Sequence, residues 1–214
     1  MFYNIKMKKK YYFLILITLL CLSFKSIPKR EKGDLLLEAS TPGVYSFLVA
    51  PEDEEAKVTN SFWGAGIGLD YYYSQKNFIN LQATGAFGMV DFPIPIPAAM
   101  GQEAGYENVF SFSTSLSNNH VVKRFVVGYG LTYIVNYWGY EDFDTDEKNS
   151  KIYGALGFNF PLYFRLTRFF NTGVIYRPTF FRPMLEEKFK YEHLINLYLS
   201  FKFHLNKNRQ KNRF

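Results

Sequence analysis

The chain has 214 residues, of which 20% are aromatic, and a formal net charge of +6 at pH 7. Its overall hydropathy is mildly polar and no apolar run reaches the roughly 18 residues of a spanning helix, which excludes a transmembrane helix bundle. The basic residues are concentrated near the two ends, so the net charge does not indicate nucleic-acid binding. We therefore expect no nucleic-acid partner.

The N-terminal segment has the pattern of a secretory signal peptide. Four lysines precede an apolar run over residues 11–22, and this basic and then apolar order predicts a signal peptide over residues 1–26. An uncleaved anchor is the alternative, but the run is short for a spanning helix. Cys21, the only cysteine, invites a lipoprotein interpretation, although Leu20 before it is bulky where that processing needs a small residue. Without lipidation, the mature chain has no cysteine and therefore no disulfide.

Alternation of apolar and polar residues predicts β-strands along the rest of the chain. The last strand is the clearest, because Leu197, Leu199 and Phe201 alternate with polar residues such as Ser200 and Lys202. This alternation, over residues 194–205, is longer than an ordinary strand of a soluble protein and is long enough for the roughly nine to eleven residues that cross a bilayer. Eight strands are predicted in all, over residues 34–49, 62–73, 78–90, 109–117, 121–137, 152–166, 169–178 and 194–205.

Two local features refine the first strands. Pro42 and Gly43 interrupt the first strand and predict a β-bulge there. Gly64, Gly66 and Gly68 share one face of the second strand, which suits the narrow interior of a small, strongly curved barrel.

The connections alternate between long and short. The long ones are residues 50–60, 91–107, 139–150 and 181–188, and the short ones are 74–77, 117–120 and 166–168. Bacterial outer-membrane barrels have short periplasmic turns, long extracellular loops and an even strand number. The order therefore predicts that both termini lie on the periplasmic side.

On strand count, alternation and loop order, residues 33–205 resemble the small eight-stranded outer-membrane barrels, of the kind formed by OmpX and the OmpA membrane domain. The resemblance implies an all-β, antiparallel, up-and-down transmembrane barrel in the bacterial outer membrane, preceded by the signal peptide. The chain departs from that family at its end, where a terminal aromatic residue usually closes the last strand. Here a basic tail, residues 206–214, follows the strand and ends at Phe214.

The strand pattern also assigns side chains to faces. Two lipid-facing aromatic girdles are predicted. The outer girdle contains Phe47, Trp63, Tyr137 and Tyr176, and the periplasmic girdle contains Tyr71, Tyr73, Phe125, Phe164, Phe170 and Phe203. Five charged residues are predicted to face the lumen in its periplasmic half: Glu38, Asp70, Arg124, Arg165 and Lys202. Eight strands leave room only for side chains, so we expect an ion-pair and hydrogen-bond network. A proton or ion pathway is the alternative.

The predicted outer loops carry two kinds of candidate contact residue. Asp142, Asp144 and Asp146 have the spacing that opens a calcium loop, but Glu147 and Tyr153 stand where that loop needs glycine and a bidentate carboxylate. Weak cation bridging to lipopolysaccharide and plain solvated loops remain open. In the second loop, proline alternates with Phe92, Ile94 and Ile96, which predicts a stiff, extended segment. That segment either contacts a ligand or packs over the barrel mouth.

The predicted function is a structural or surface-interaction role through the outer loops, without catalysis. Only His193 lies at the height where lipid A chemistry occurs, and no serine partner is evident. No cofactor and no metal are expected. The expected partners are outer-membrane lipid, lipopolysaccharide, the barrel-assembly machinery and an unidentified extracellular ligand, and the chain is expected to be a monomer. The alternatives are a secreted soluble lipid-binding barrel, with the faces inverted, and a lipid A-modifying enzyme.

Overall fold

The computed structural model describes residues 30–90, 105–142 and 148–206. These residues form nine strand segments and no helix that could span a membrane. The segments are β1 (Leu35–Val49), β2 (Lys57–Ser61), β3 (Trp63–Tyr72), β4 (Asn77–Val90), β5 (Gly105–Val122), β6 (Phe125–Asp142), β7 (Lys148–Arg165), β8 (Phe170–Phe181) and β9 (Phe189–His204). The predicted signal peptide and most of the basic tail lie outside the described residues and stay predictions.

The sheet closes into a barrel. Each strand from β3 to β9 pairs antiparallel with the next, and β1 pairs with β9 on one side and with both β2 and β3 on the other. Since β2 and β3 follow one another along β1, separated only by Phe62, they act as one interrupted barrel strand. The predicted eight-stranded, antiparallel, up-and-down barrel is therefore confirmed. Closure also leaves no free edge for pairing with another chain.

The interruption between β2 and β3 is held by Ser61. Its hydroxyl contacts the Phe87 carbonyl oxygen and accepts a hydrogen bond of 3.0 Å from the Trp63 amide. Phe62 points outward and is 70% exposed. The sequence predicted a strand that begins at residue 62 and did not predict β2, whose inward side chains, Thr59 and Ser61, are out of phase with those of β3. The first outer loop is accordingly shorter than predicted.

A β-bulge in β1 reverses which side chains face the lumen. The register against β9 shifts between Thr41 and Val44, as the proline and glycine at 42 and 43 predicted. Before the bulge Glu38 points inward, and after it Tyr45 and Phe47 do so. Phe47 is only 1% exposed, so its predicted place in the outer aromatic girdle is wrong. The extra residue in the bulge exchanges the two faces of the strand.

The predicted short turn at residues 117–120 is also wrong. In the structure β5 continues to Val122, and the turn is Lys123 and Arg124. Serine and asparagine are common turn residues, but here Asn119 donates to the Ser117 carbonyl oxygen at 3.3 Å from within the sheet. Lys123 adopts the left-handed conformation, with φ of 57°, that the two-residue turn requires.

The ends of the barrel differ in height. Connections of two to four residues lie at the end where the described part of the chain begins and finishes, and the other end carries the longer ones. We call these the periplasmic end and the outer end. Strands β5, β6 and β7 have 18 residues each, which is about 59 Å of strand and about 45 Å of height at a tilt of about 40°. The apolar band of such barrels is about 25 Å tall. These three strands therefore extend beyond the membrane at the outer end.

The barrel exterior is apolar and its interior is packed in layers. Large apolar side chains such as Ile67, Leu131 and Phe158 are exposed outward. Inside, one apolar cluster lies toward each end, and buried polar side chains lie between the two clusters and against the rings of the periplasmic one. The outer cluster contains Tyr45, Phe47, Val49, Ala86, Val109, Ile134, Trp138 and Leu194. Charged side chains inside and apolar ones outside are the reverse of the arrangement that a soluble lipid carrier needs.

Candidate functional site: the lumen and the outer mouth of the barrel

Three predicted lumen residues meet at one point. The ladder between β1 and β9 places Glu38 opposite Lys202. Lys202 Nζ lies 2.9 Å from Glu38 Oε2 and 2.6 Å from Asp70 Oδ2, and both carboxylates are fully buried. Buried charges require such partners. We call Glu38, Asp70 and Lys202 the lumen ion cluster.

Neutral amides and a second cation surround the lumen ion cluster. Asn80 donates to Asp70 at 2.7 Å, and Gln82 donates to Glu38 at 3.4 Å. Arg177, also fully buried, donates to the Gln82 side-chain oxygen at 2.8 Å. Two carboxylates and two cations, Lys202 and Arg177, therefore lie close together in the lumen, so this group has no net charge.

The other two predicted lumen residues lie nearer the periplasmic end. Arg165 is 8% exposed, at the last position of β7. Arg124 belongs to the turn between β5 and β6, and its carbonyl oxygen accepts from the Arg165 amide at 2.8 Å. Arg124 therefore lies in a turn and not within a strand as predicted, because the turn falls later in the chain, and its predicted lumen-facing position stays a prediction. The role of all five residues as a network stays a prediction.

A second buried polar cluster closes the outer end, and the sequence did not reveal it. Glu192 Oε1 accepts from the Tyr153 hydroxyl at 2.7 Å and from the Ala50 amide at 2.8 Å. Its Oε2 accepts from Asn136 at 3.2 Å, and Arg182 lies 3.9 Å from Oε1. We call Glu192, Tyr153 and Arg182 the outer latch.

Arg182 connects the outer latch to two loops. It is fully buried and donates to the Ala50 carbonyl oxygen at 2.5 Å and to the Glu187 carboxylate at 3.1 Å. The first and last outer loops are thereby tied to one another across the barrel mouth. Sequence analysis missed Arg182 because the predicted strand ended at residue 178 and residues 181–188 were predicted to form an outer loop, whereas β8 continues to Phe181. Glu192 was missed because the predicted strand began at residue 194.

The periplasmic mouth is closed by the segment that precedes β1. Arg30 is buried, contacts the His204 ring and donates to the Arg168 carbonyl oxygen at 2.7 Å. Burial lowers the pKa of the Arg30 guanidinium, but an arginine keeps its proton at neutral pH. Because arginine can only donate, His204 Nε2 acts as the acceptor in this pair.

Above the outer apolar cluster lies an open cavity of about 510 Å³ at the barrel mouth. It is lined by Glu54, Lys57, Glu107, Trp138, Tyr140, Lys148 and Asn149, and we call it the outer vestibule. Trp138 is 3% exposed, donates to Glu107 at 2.5 Å and belongs to the outer apolar cluster. The vestibule is therefore a cup whose floor is packed.

The predicted outer-loop contacts fall mostly outside the described residues. That holds for Phe92, Ile94, Ile96, Asp144 and Asp146. Asp142 is the last residue of β6, where it pairs with Gly105. The first outer loop is held in place by Lys151, which contacts the Glu52 carbonyl oxygen and lies 3.7 Å from Asp53.

His193 occupies the outer face of β9 between two tyrosine rings. Its ring centroid lies 6.1 Å from that of Tyr176 and 5.5 Å from that of Tyr191, and these two hydroxyls are hydrogen-bonded at 2.7 Å. Within the described residues, His193 Nδ1 has no hydrogen-bond partner. In the same ranges, no group of three His, Cys, Asp or Glu side chains could hold a metal ion.

The closed antiparallel barrel, with its apolar exterior and charged interior, defines this chain as a transmembrane β-barrel of the bacterial outer-membrane type. Solved structures with a similar fold include Ail, the attachment invasion locus protein of Yersinia pestis. That structure has a TM-score of 0.53 at 10% identity and covers 80% of this chain and 99% of its own. Ail has also been solved with the heparin analogue sucrose octasulfate, with a TM-score of 0.52, 11% identity and the same coverages.

Neisserial surface protein A is more distant, with a TM-score of 0.45 at 8% identity, covering 78% of this chain and 95% of its own. No protein-family model and no curated protein matches the sequence. At these identities the likeness to Ail concerns the fold alone.

Proposed function

We propose that the chain is an integral protein of the bacterial outer membrane that acts, without catalysis, as a surface-interaction module through its outer end. One observation carries this proposal: the lumen is filled by two apolar clusters and by buried polar side chains that include a charge-balanced group. A filled lumen does not favour conduction. Contacts with other molecules then fall to the exterior, which meets lipid, and to the outer end.

The alternatives receive less support. A lipid A-modifying enzyme of the serine type would need a serine beside His193, and its neighbours are instead the rings of Tyr176 and Tyr191, whose hydroxyls are hydrogen-bonded to each other. Two tyrosines and a histidine on the lipid-facing side suit a membrane interface, where amphipathic rings are favoured. A soluble lipid carrier would require the opposite distribution of charged and apolar faces.

The remaining partners are proposals of the same kind. The exposed apolar exterior suits outer-membrane lipid and lipopolysaccharide. A monomer is supported by the pairing of β1 with β9, because a closed barrel offers no unpaired strand edge. We also propose that the barrel-assembly machinery inserts the protein and that the outer end binds an extracellular ligand.

Orientation and location can be tested by cysteine labelling in intact cells. The chain has one cysteine, Cys21, in the predicted signal peptide, so an introduced cysteine in the mature protein is unique. Asp53→Cys in the first outer loop and Gln75→Cys in a periplasmic turn are both exposed and lie at opposite ends. We expect a membrane-impermeant maleimide to label Asp53→Cys in intact cells, and Gln75→Cys only after permeabilisation. Equal labelling of both, or labelling of neither, would contradict the proposal.

The loop-mediated role needs a second experiment. Cells that express the protein are compared with cells expressing a variant in which residues 93–97 are replaced by a glycine-serine linker. We expect attachment to cultured epithelial cells to be lost with the replacement, while the folded barrel still shows its mobility shift between boiled and unboiled gel samples. Unchanged attachment would refute a role for this segment.

A further inference from the structure

We propose that the outer vestibule is a binding site for an uncharged saccharide. This inference rests on the proposed surface-interaction function and specifies its ligand. The vestibule volume of about 510 Å³ lies in the roughly 300–1,000 Å³ range of small-molecule sites. The lining residues come from the first outer loop and from β2, β5, β6 and β7, at the end where the longest strands rise beyond the membrane.

The first argument is the shape of the cavity. Trp138 forms its floor and packs with the outer apolar cluster, and Tyr140 packs against the same cluster. A ligand that enters from outside is therefore stopped at this floor. A cavity that is closed at its base suits recognition of the terminal unit of a saccharide better than passage of a solute through the barrel.

The second argument is charge. The vestibule lining contains two carboxylates and two ammonium groups, and both cations are already paired. Lys57 lies 3.1 Å from Glu107, and Lys148 lies 2.6 Å from Glu141. A sulfated or phosphorylated ligand would have to compete with these carboxylates for each lysine, so a polyanion is disfavoured. A metal ion is disfavoured as well, because Glu107 is already paired with Lys57 and no three His, Cys, Asp or Glu side chains of the described residues lie together as ligands.

The third argument is hydrogen-bonding capacity beside an aromatic surface. Within the described residues, the Glu54 carboxylate and the Asn149 amide have no side-chain partner, and both line the cavity. A sugar hydroxyl both donates and accepts, so it can satisfy a carboxylate, an amide and an ammonium group alike. The half-buried Tyr140 ring offers the apolar surface that the C–H face of a sugar requires. Neither a purely apolar nor a strongly charged ligand uses both features.

Trp138 supplies a built-in reporter for the test. The chain has two tryptophans, and Trp63 lies on the exterior, 69% exposed. In a Trp63→Phe background, the intrinsic fluorescence therefore reports on the vestibule floor alone. The full mature protein in phospholipid nanodiscs is titrated with lactose, N-acetyllactosamine and maltotriose, and separately with sucrose octasulfate.

We expect at least one uncharged saccharide to give a saturable change in Trp138 fluorescence. Tyr140→Ala should raise its Kd at least about tenfold, as for loss of a central aromatic contact. Tyr137→Ala, on the opposite face of the same strand, should leave the Kd unchanged. If Tyr140→Ala does not fold by the gel mobility shift, Asn149→Ala, exposed and without a described partner, takes its place, with Ser150→Ala as its control.

Three outcomes would overturn the inference. The first is that no uncharged saccharide changes the fluorescence up to about 10 mM, which corresponds to negligible affinity. The second is a response to sucrose octasulfate alone. The third is that Tyr140→Ala and Tyr137→Ala weaken saccharide binding equally. If the saccharide inference fails, the proposed surface-interaction function can still be tested separately. If cells still attach through the outer end and Asp53→Cys is labelled from outside, the surface role stands and only the saccharide assignment falls.

Discussion

Replacing Lys202 by methionine should destabilise the barrel strongly. Methionine keeps most of the length of the side chain but removes the ammonium group that contacts Glu38 at 2.9 Å and Asp70 at 2.6 Å. Both carboxylates are fully buried and cannot recover hydration. Removing one partner of a buried ion pair costs about 3–5 kcal/mol, and here one cation serves two carboxylates. We therefore expect the free energy of unfolding to fall by at least about 3 kcal/mol.

The matched variant removes the charges together. In Lys202→Met combined with Glu38→Gln and Asp70→Asn, no carboxylate of the lumen ion cluster is left unpaired. Such concerted replacement of a buried ion cluster is often neutral, so we expect the triple variant to lie within about 1–2 kcal/mol of the natural protein. The difference between single and triple variants measures the coupling of the three residues.

The assay is equilibrium unfolding in urea from phospholipid vesicles, followed by the gel mobility of the folded and unfolded forms. Two results would refute the reasoning. A loss below about 1 kcal/mol for Lys202→Met would place it in the range of exposed ion pairs and mean that the cluster is hydrated. A triple variant as unstable as the single one would mean that packing around Lys202, and not its charge, stabilises the lumen.

Three further predictions follow from other parts of the barrel. Gly64→Ala should cost about 1–3 kcal/mol in unfolding free energy by overpacking, since the new methyl group would lie 2.5 Å from the Tyr45 ring, whereas Gly85→Ala, with 3.9 Å of space, should be tolerated. Arg182→Met should open the outer latch and raise the rate of proteinase K cleavage in the last outer loop at least about tenfold. Lys188→Met, at an exposed position of the same loop, is the control, and equal cleavage rates in the two variants would contradict this prediction. Intact-mass analysis should place the mature N-terminus after residue 26 and before Arg30, because Arg30 closes the periplasmic mouth. If the mature chain started beyond Arg30, this residue could not close the mouth.

Side-chain parity could be predicted within each uninterrupted strand. The inward positions of Glu38, Asp70 and Lys202 follow from alternation alone, because a strand has a period of two. The predicted inward or outward direction of the side chains is wrong wherever an extra residue enters the ladder. The bulge between Thr41 and Val44 places Phe47 inside the barrel, against the alternation that starts at residue 35.

Strand ends were the other source of error. Local composition cannot distinguish a polar turn from a strand whose polar residues face a polar lumen. Asn119 and Ser117 have the composition of a turn, yet both lie in β5, where their buried side chains hydrogen-bond to one another. The outer parts of β6 and β7 were read as loop for a similar reason, since they project beyond the apolar band and need no apolar face there.

The sequence by itself determined the class of fold: an even number of alternating strands, glycines for a narrow lumen and an apolar exterior admit few structures other than a closed membrane barrel. The tertiary structure alone decided which buried charges meet, because that depends on the register between distant strands. Lys202 faces Glu38 only through the pairing of the first strand with the last. Glu192, Arg182 and Tyr153 likewise meet through the register of β7, β8 and β9, and closure adds the hydrogen bond from the Ala50 amide to Glu192. Alternation is a local property, whereas closure and register are set by the whole sheet.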